Sequence, residues 1–307
     1  MLTVDTEEEF DWSRDVGDGG FDLDHVPRLR KFQEFCDNEG VCPVYLADWP
    51  IASCRMAAEI LEAPLARGDA EIGIQLHPWV NPPFLEEIND TNSYAGNLPH
   101  DLEAEKLSRL RREIERNFSV VPAIYRAGRY GVGPSTVNIL RDQGIAIDTS
   151  VRSYFDYSAI GGPNFRDHPL WPYWLDADRS VLELPLTTVF WGMLRKQGRI
   201  LYPLLWRAPR LRGVLAALGM LERIPLTPEG VTVEEAIRGI DIALDDGLEL
   251  MVFSFHSPSL RPGNTPYVRN EADLDTLYDW WRRIFAYLKQ RGVAPVGVRQ
   301  VMEAVQR

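Results

Sequence analysis

A small set of residues in this sequence can do chemistry by type and spacing: Asp5, Glu7, His77, Asn81, Arg126, Asp148 and His256. Asp5 and Glu7 stand two apart at the end of a strand-like run, so period-two geometry points both carboxylates to one side. Such a pair can divide labour, one taking a proton while the other holds a cation. His77 closes another strand-like run, and Asn81 follows four residues later, on the same face wherever the segment turns as a helix. Glu7, His77 and Asn81 would then supply three metal ligands, the number a hydrolytic zinc site keeps beside its water, although an amide oxygen is a poor zinc ligand. His256 follows Val252-Phe253-Ser254-Phe255, and a histidine is the natural proton donor to a leaving amine near neutral pH. Arg126 is of the right type to pair with Asp5, and Asp148 to orient or tune His256. Plainer readings stand beside these: residues 5–9 as a solvated acidic loop, and a strand-end histidine as structural. His25, His100 and His168 read as surface residues.

The elements that must position these residues alternate along the chain. Strand-like runs cover residues 2–5, 41–46, 71–76, 122–125, 145–151, 181–186 and 249–255. Helical spacing of apolar residues recurs between them: Val26, Leu29, Phe32 and Phe35, stopped by Gly40; residues 56–65; Leu102 to Phe118; residues 135–143, ended by Gly144; and Leu274 to Leu288. Thr232 and Glu235 predict a capping box ahead of a helix that Gly247 closes. Strand–helix alternation over the whole length predicts an α/β fold with a parallel sheet, and seven or eight units suit a distorted barrel in one domain, 1–307. Barrels collect chemistry at the C-terminal ends of their strands. Those ends carry Asp5, Asp48, His77, Arg126, Asp148 and His256.

Composition removes several classes of function. At 45% hydrophobic and 25% charged residues over 307 positions, the chain is globular. No apolar stretch is long enough for a membrane span. A net charge of −12 argues against a general nucleic-acid binder, which needs a basic face. Cys36, Cys42 and Cys54 match neither a disulfide framework nor a zinc ribbon, and they suit a reducing compartment. No signal peptide is visible before the first strand, so the expected location is cytoplasmic.

Residues 190–225 break the rhythm, with Arg195, Lys196, Arg199, Arg207, Arg210, Arg212 and Arg223 against a single acid, Glu222, amid many leucines and Trp191 and Trp206. This basic, apolar stretch reads as a helical insertion packed over the barrel, as a contact to a membrane surface or an anionic ligand, or as an oligomer contact.

The stations in order, Asp5-Thr6-Glu7, His77-Pro78-Trp79-Val80-Asn81-Pro82, Arg126-Ala127-Gly128-Arg129-Tyr130-Gly131, Asp148-Thr149-Ser150 and Phe255-His256-Ser257, resemble the motifs of the polysaccharide deacetylases. That family is carbohydrate esterase family 4, the NodB-homology domain. The likeness extends over nearly the whole chain and is nearest a bacterial branch associated with surface polysaccharide gene clusters. It implies a distorted (β/α) barrel that removes an N-acetyl group from an amino-sugar unit with the help of a divalent metal, zinc above all. It further implies Asp5 as general base, His256 as general acid, Arg126 positioning the base, Asp148 tuning His256, and Glu7, His77 and Asn81 at the metal. A backbone N–H near Arg129 or Tyr130 would serve the oxyanion, and Trp49, Trp79, Phe84 and Tyr130 would stack on sugar rings. Two departures matter: Asn81 stands where a second metal histidine is usual, and Glu7 where an aspartate is. A metal-free amidohydrolase acting on a small non-sugar amide, and a sugar-binding barrel without catalysis, are the competing readings.

Overall fold

The structure is a computed structural model and describes residues 1–10, 20–205 and 208–305. In chain order the elements are β1 (Leu2–Thr6), α1 (Arg28–Glu39), β2 (Pro43–Ala47), α2 (Trp49–Ala52), α3 (Arg55–Arg67), β3 (Glu71–Leu76), α4 (His100–Phe118), β4 (Ile124–Ala127), α5 (Thr136–Asp142), β5 (Ile147–Asp148), β6 (Tyr173–Trp174), β7 (Leu182–Glu183), β8 (Thr188–Trp191), α6 (Gly198–Leu205), α7 (Pro209–Ala217), β9 (Glu222–Pro225), α8 (Val233–Asp245), β10 (Phe253–His256), α9 (Glu271–Gln290) and α10 (Val298–Val305). The main sheet runs β10-β1-β2-β3-β4-β5-β7-β6, parallel throughout except for the antiparallel edge strand β6. Its seam is closed by side chains and loops: the Thr187 backbone N–H donates to the Val252 carbonyl at 3.1 Å, and Val252 N–H donates back to the Thr187 hydroxyl at 2.9 Å. The result is the distorted β/α barrel that the strand–helix alternation predicts.

Local signals explain most elements. Gly40 ends α1 in the left-handed conformation with φ 69°, a backbone state glycine adopts freely. The capping box of Thr232 and Glu235 opens α8. β1 and β2 are buried along their whole length, as central parallel strands are. Trp281 on α9 sits at no exposure, against Phe253 and Phe255 of β10.

Four expectations need correction. The strand expected over 181–186 is only Leu182–Glu183. The strand expected over 145–151 is only Ile147–Asp148. Beyond it side chains replace the ladder: the Ser150 N–H and hydroxyl both donate to Asp148, and Ala127 N–H donates to the Ser150 hydroxyl at 2.8 Å. The strand expected over 249–255 begins at Phe253, because Val252 is already engaged across the seam. The stretch 190–225 is not purely helical. β8 and β9 form an antiparallel ribbon with α6 and α7 between them, and Arg195 and Arg199 reach out to Asp246 at 2.9 Å and Asp167 at 3.6 Å. Trp206 and Arg207 lie outside the described residues. Among those described, no helix is long and apolar enough to cross a membrane.

Candidate active site

Parallel pairing sets the geometry. In the β1–β10 register Asp5 stands opposite His256, so residues 251 positions apart become neighbours at the same barrel mouth. Their facing atoms, Asp5 Oδ2 and His256 Nε2, are 3.7 Å apart. Arg126, from β4, crosses the barrel beneath Asp5. It is wholly buried, pairs with Asp5 Oδ1, and is fixed by the Thr149 carbonyl at 3.0 Å and the Thr3 hydroxyl at 2.9 Å. A cavity of about 260 Å³ opens above, lined by Asp5, Glu7, His77, Trp79, Arg126, Arg129, Tyr130 and His256 together with Gln75, Tyr94, Arg152, Tyr157 and Glu229.

His256 has a partner that sequence reasoning missed. Its Nδ1 faces Glu229 Oε2 at 2.6 Å, and the same carboxylate accepts from the His256 N–H at 3.2 Å and the Ser259 hydroxyl at 2.6 Å. Burial acts to lower the histidine's pKa, but the charges of Glu229, then Glu7 and Asp5, outweigh it and carry the value to about 10. The ring is therefore an imidazolium at neutral pH. Asp148 does not occupy the expected place beside His256. It is buried under the barrel wall, bonded to Ser150, outside the cavity lining, and burial lifts its carboxyl to about 6. Glu229 sits in the Thr227-Pro228-Glu229-Gly230 loop, where an acid ordinarily faces water, so nothing in the sequence marks it.

Of the expected metal trio, Glu7 and His77 meet at the cavity, and Asn81 joins them through its backbone. His77 Nε2 lies 3.5 Å from Glu7 Oε2, and the Asn81 N–H donates to the His77 carbonyl at 3.1 Å, the helical turn that puts the two side chains on one face. Lys106 from α4 clamps this turn through the Pro78 and Asn81 carbonyls, at 3.0 and 2.6 Å. Gln75 donates to Glu7 Oε2 at 3.0 Å, while Glu7 Oε1 is buried with no hydrogen-bond partner. Burial raises Glu7 to about 8, against the pull of His256 and His77. The Asn81 amide nitrogen donates to the Pro82 and Lys106 carbonyls at 2.8 and 3.0 Å, which fixes its orientation and leaves Oδ1 buried without a hydrogen-bond partner. Asn81 is outside the cavity lining. The orphaned Glu7 oxygen, on a carboxylate beside the His77 imidazole nitrogen, fits a bound cation, since such an atom is otherwise costly to bury.

Behind His77 lies a second acidic cluster that the sequence did not advertise. Among the described residues Glu8, Asp48 and His77 bring ligand atoms within 4.8 Å of one another. These atoms are already satisfied by each other. His77 Nδ1 faces Glu8 Oε2 at 2.9 Å, Trp79 Nε1 donates to Glu8 Oε1 at 2.7 Å, and Asp48 accepts from the backbone of Glu8 and Ile51. Burial pushes both carboxyls up, Asp48 well above the usual range. A tautomer with Nδ1–H given to Glu8 would present Nε2 as an acceptor, as a metal ligand needs.

Backbone geometry marks the end of β4. Arg129 and Tyr130 take φ of 54° and 62° in succession, a left-handed conformation that costs non-glycine residues on the order of 1–3 kcal/mol each and concentrates at functional sites. Gly128 is required by packing: a Cβ there would lie 2.3 Å from the His77 ring. Trp79 and Tyr130 line the cavity, whereas Trp49 and Phe84 do not, and Phe84 is 59% exposed. His25, expected at the surface, is completely buried. It bridges Glu9 at 2.8 Å and the Ser257 hydroxyl at 2.8 Å, tying the β1 and β10 loops together.

No protein-family profile and no curated protein matches the chain. Among solved structures it is similar to a GH57 branching enzyme from Thermococcus kodakaraensis, at 12% identity and TM-score 0.52, over 98% of this chain and 70% of that one. It is also similar to a 4-alpha-glucanotransferase from Thermococcus litoralis, at 13% identity and TM-score 0.50, over 99% of this chain but only 38% of the longer enzyme. A family 4 carbohydrate esterase from Streptomyces lividans aligns over 97% of this chain and 91% of its own, at 10% identity and TM-score 0.44. At such identities the likeness is one of fold.

Proposed function

We propose that the protein is a hydrolase that removes an N-acyl group, acetyl above all, from an amino-sugar unit of a surface polysaccharide or its precursor. One observation carries the reading: Asp5 and His256 meet at 3.7 Å on one cavity, each with a buried counter-ion of its own, Arg126 and Glu229. The arrangement separates the two proton jobs of amide hydrolysis. Asp5 has one oxygen committed to Arg126 and the other facing the cavity, placed to take a proton from attacking water. His256, charged through Glu229, holds the proton that the departing amine requires. Trp79, Tyr94, Tyr130 and Tyr157 give the cavity the aromatic lining that suits a sugar. Glu7, His77 and Asn81 would hold a divalent ion such as zinc, which when bound polarises the amide carbonyl and acidifies a water. The carboxylate and amide oxygens in that set suit other divalent ions as well as zinc.

Acting on a precursor would place the protein in the cytoplasm, and the three free cysteines agree with a reducing compartment. We also propose peripheral contact with an anionic membrane through the β8–β9 insertion. There Met193, Ile200, Leu204 and Leu218 are 66–85% exposed beside the exposed Lys196 and Arg210. Flotation with phosphatidylglycerol-containing liposomes is expected to carry the protein up; equal recovery with neutral and anionic vesicles, or none with either, discards this contact.

The activity is tested by acetate release and free-amine formation from N-acetylglucosamine oligomers and N-acetylated sugar phosphates, with zinc or cobalt added. Turnover is expected, with a loss of about 10²–10⁴-fold in Asp5→Asn. Absence of release from every acylated sugar, or turnover untouched by Asp5→Asn, refutes the assignment.

A further inference from the structure

We propose that the cavity wall that carries Arg152 recognises an oxyanion on the substrate, a phosphate or carboxylate attached to the sugar unit, and that Arg152 is the group that binds it. The inference rests on the carbohydrate reading of the same cavity and adds a substrate class to it.

Arg126 is paired with Asp5, His256 with Glu229, and Arg129 lies 3.5 Å from Asp90 while stacking 4.5 Å from the Tyr94 ring centre. Arg152 differs. It lines the cavity, yet among the described residues no carboxylate lies within ion-pair distance of it. Its guanidinium donates to the Tyr157 hydroxyl at 3.1 Å and lies 3.9 and 5.3 Å from the ring centres of Phe155 and Tyr130. Tyrosines and a phenylalanine orient such a group without neutralising it. A half-buried cation whose surroundings supply no anion is unfavourable in the empty protein and is relieved by an anionic ligand.

The neighbourhood strengthens the positive field. Arg223, from β9, stacks on the same Phe155 ring at 3.4 Å and over Tyr202 at 4.7 Å, and Arg212 of α7 lies 5.9 Å from the Tyr202 ring. Burial, and after it the nearby arginines, draw the Arg223 pKa down to about 10. A line of guanidiniums therefore leads from the cavity into the basic insertion, in a chain whose net charge is −12. The planar fork of Arg152 matches the paired oxygens of a phosphate or carboxylate.

The test is binding to the intact protein, measured by calorimetry at low salt, with N-acetylglucosamine, N-acetylglucosamine 1-phosphate and glucuronic acid as probes. The wild type is expected to bind one or both anionic sugars at least ~10-fold more tightly than the neutral sugar, with the preference shrinking as salt is raised. In Arg152→Gln that preference is expected to vanish, and in Arg152→Lys, which keeps the charge but not the fork, to be partly restored. Sugar phosphate against glucuronic acid distinguishes the two sources of the oxyanion. Lack of preference in the wild type overturns the proposal, as does a preference unchanged in both variants; the Lys variant serves if the Gln variant does not fold. Binding needs no turnover. A protein that prefers the anions through Arg152 yet releases no acetate would refute the hydrolase and leave this inference standing.

Discussion

The two sides of the cavity treat the same residue type in opposite ways. On the β1–β4–β10 side, Arg126 is wholly buried and spends its donors on Asp5, Thr3 and Thr149. On the β5–β9 side, Arg152 rests on aromatic rings and one hydroxyl. The first wall has its charges compensated and its side chains fixed on strands, which is what proton transfer at set distances requires. The second wall is built from loops and leaves a charge open, which suits receiving a ligand. On the proposed function, machinery and recognition would fall on the strand-built and the irregular halves of one barrel.

The comparison breaks most visibly in stability. Arg126→Met strips Asp5 of its guanidinium partner in the interior, and a loss of roughly 3–5 kcal/mol is expected in urea unfolding, against less than about 1 kcal/mol for Arg152→Met, which strands no carboxylate. Equal losses would erase the distinction. Next in size is the support behind the metal trio: Glu8→Gln removes the carboxylate that fixes the His77 tautomer, and zinc affinity is expected to fall ~10–100-fold by competition with a chelator dye; unaltered affinity would make the Glu8 cluster purely structural. The smallest effect is a displaced pH limb. His256 is held at about 10 by Glu229, so activity that needs the imidazolium is expected to fall above that pH, and Glu229→Gln to bring the fall to lower pH. Stability follows the same sign. A pKa raised on folding contributes fully below the unfolded value near 6.5 and is lost as pH climbs through about 10. An alkaline limb that does not move in Glu229→Gln removes Glu229 from the role.

Much of this was legible in the chain. Periodicity located α4, α8 and α9 to within a few residues, because each is a long pattern set by burial on one face, and β1 and β3 stood out as short apolar runs. The strand-end positions of Asp5, His77, Arg126 and His256 followed from where those patterns stop. The insertion was visible as a charge anomaly, although its β8–β9 ribbon was not. Glu229 and Glu8 were invisible for a different reason: an acid in a Pro-Glu-Gly turn and one in an acidic run look solvated, and only their neighbours across the barrel reveal otherwise. His25 failed likewise, since a loop histidine is buried here by Glu9 and Ser257.

The sequence by itself determined the alternation of strands and helices, the barrel class and the residue types at the strand ends, because these depend on local periodicity and turn chemistry. Only the tertiary structure decided which ends meet. Parallel pairing of the last strand with the first puts Asp5 against His256, the aborted β5 sends Asp148 inward to Ser150 and away from His256, and the β9 loop brings Glu229 to take its place. Partner choice and the resulting charge states are set by distance and burial, quantities that exist only once the chain has closed.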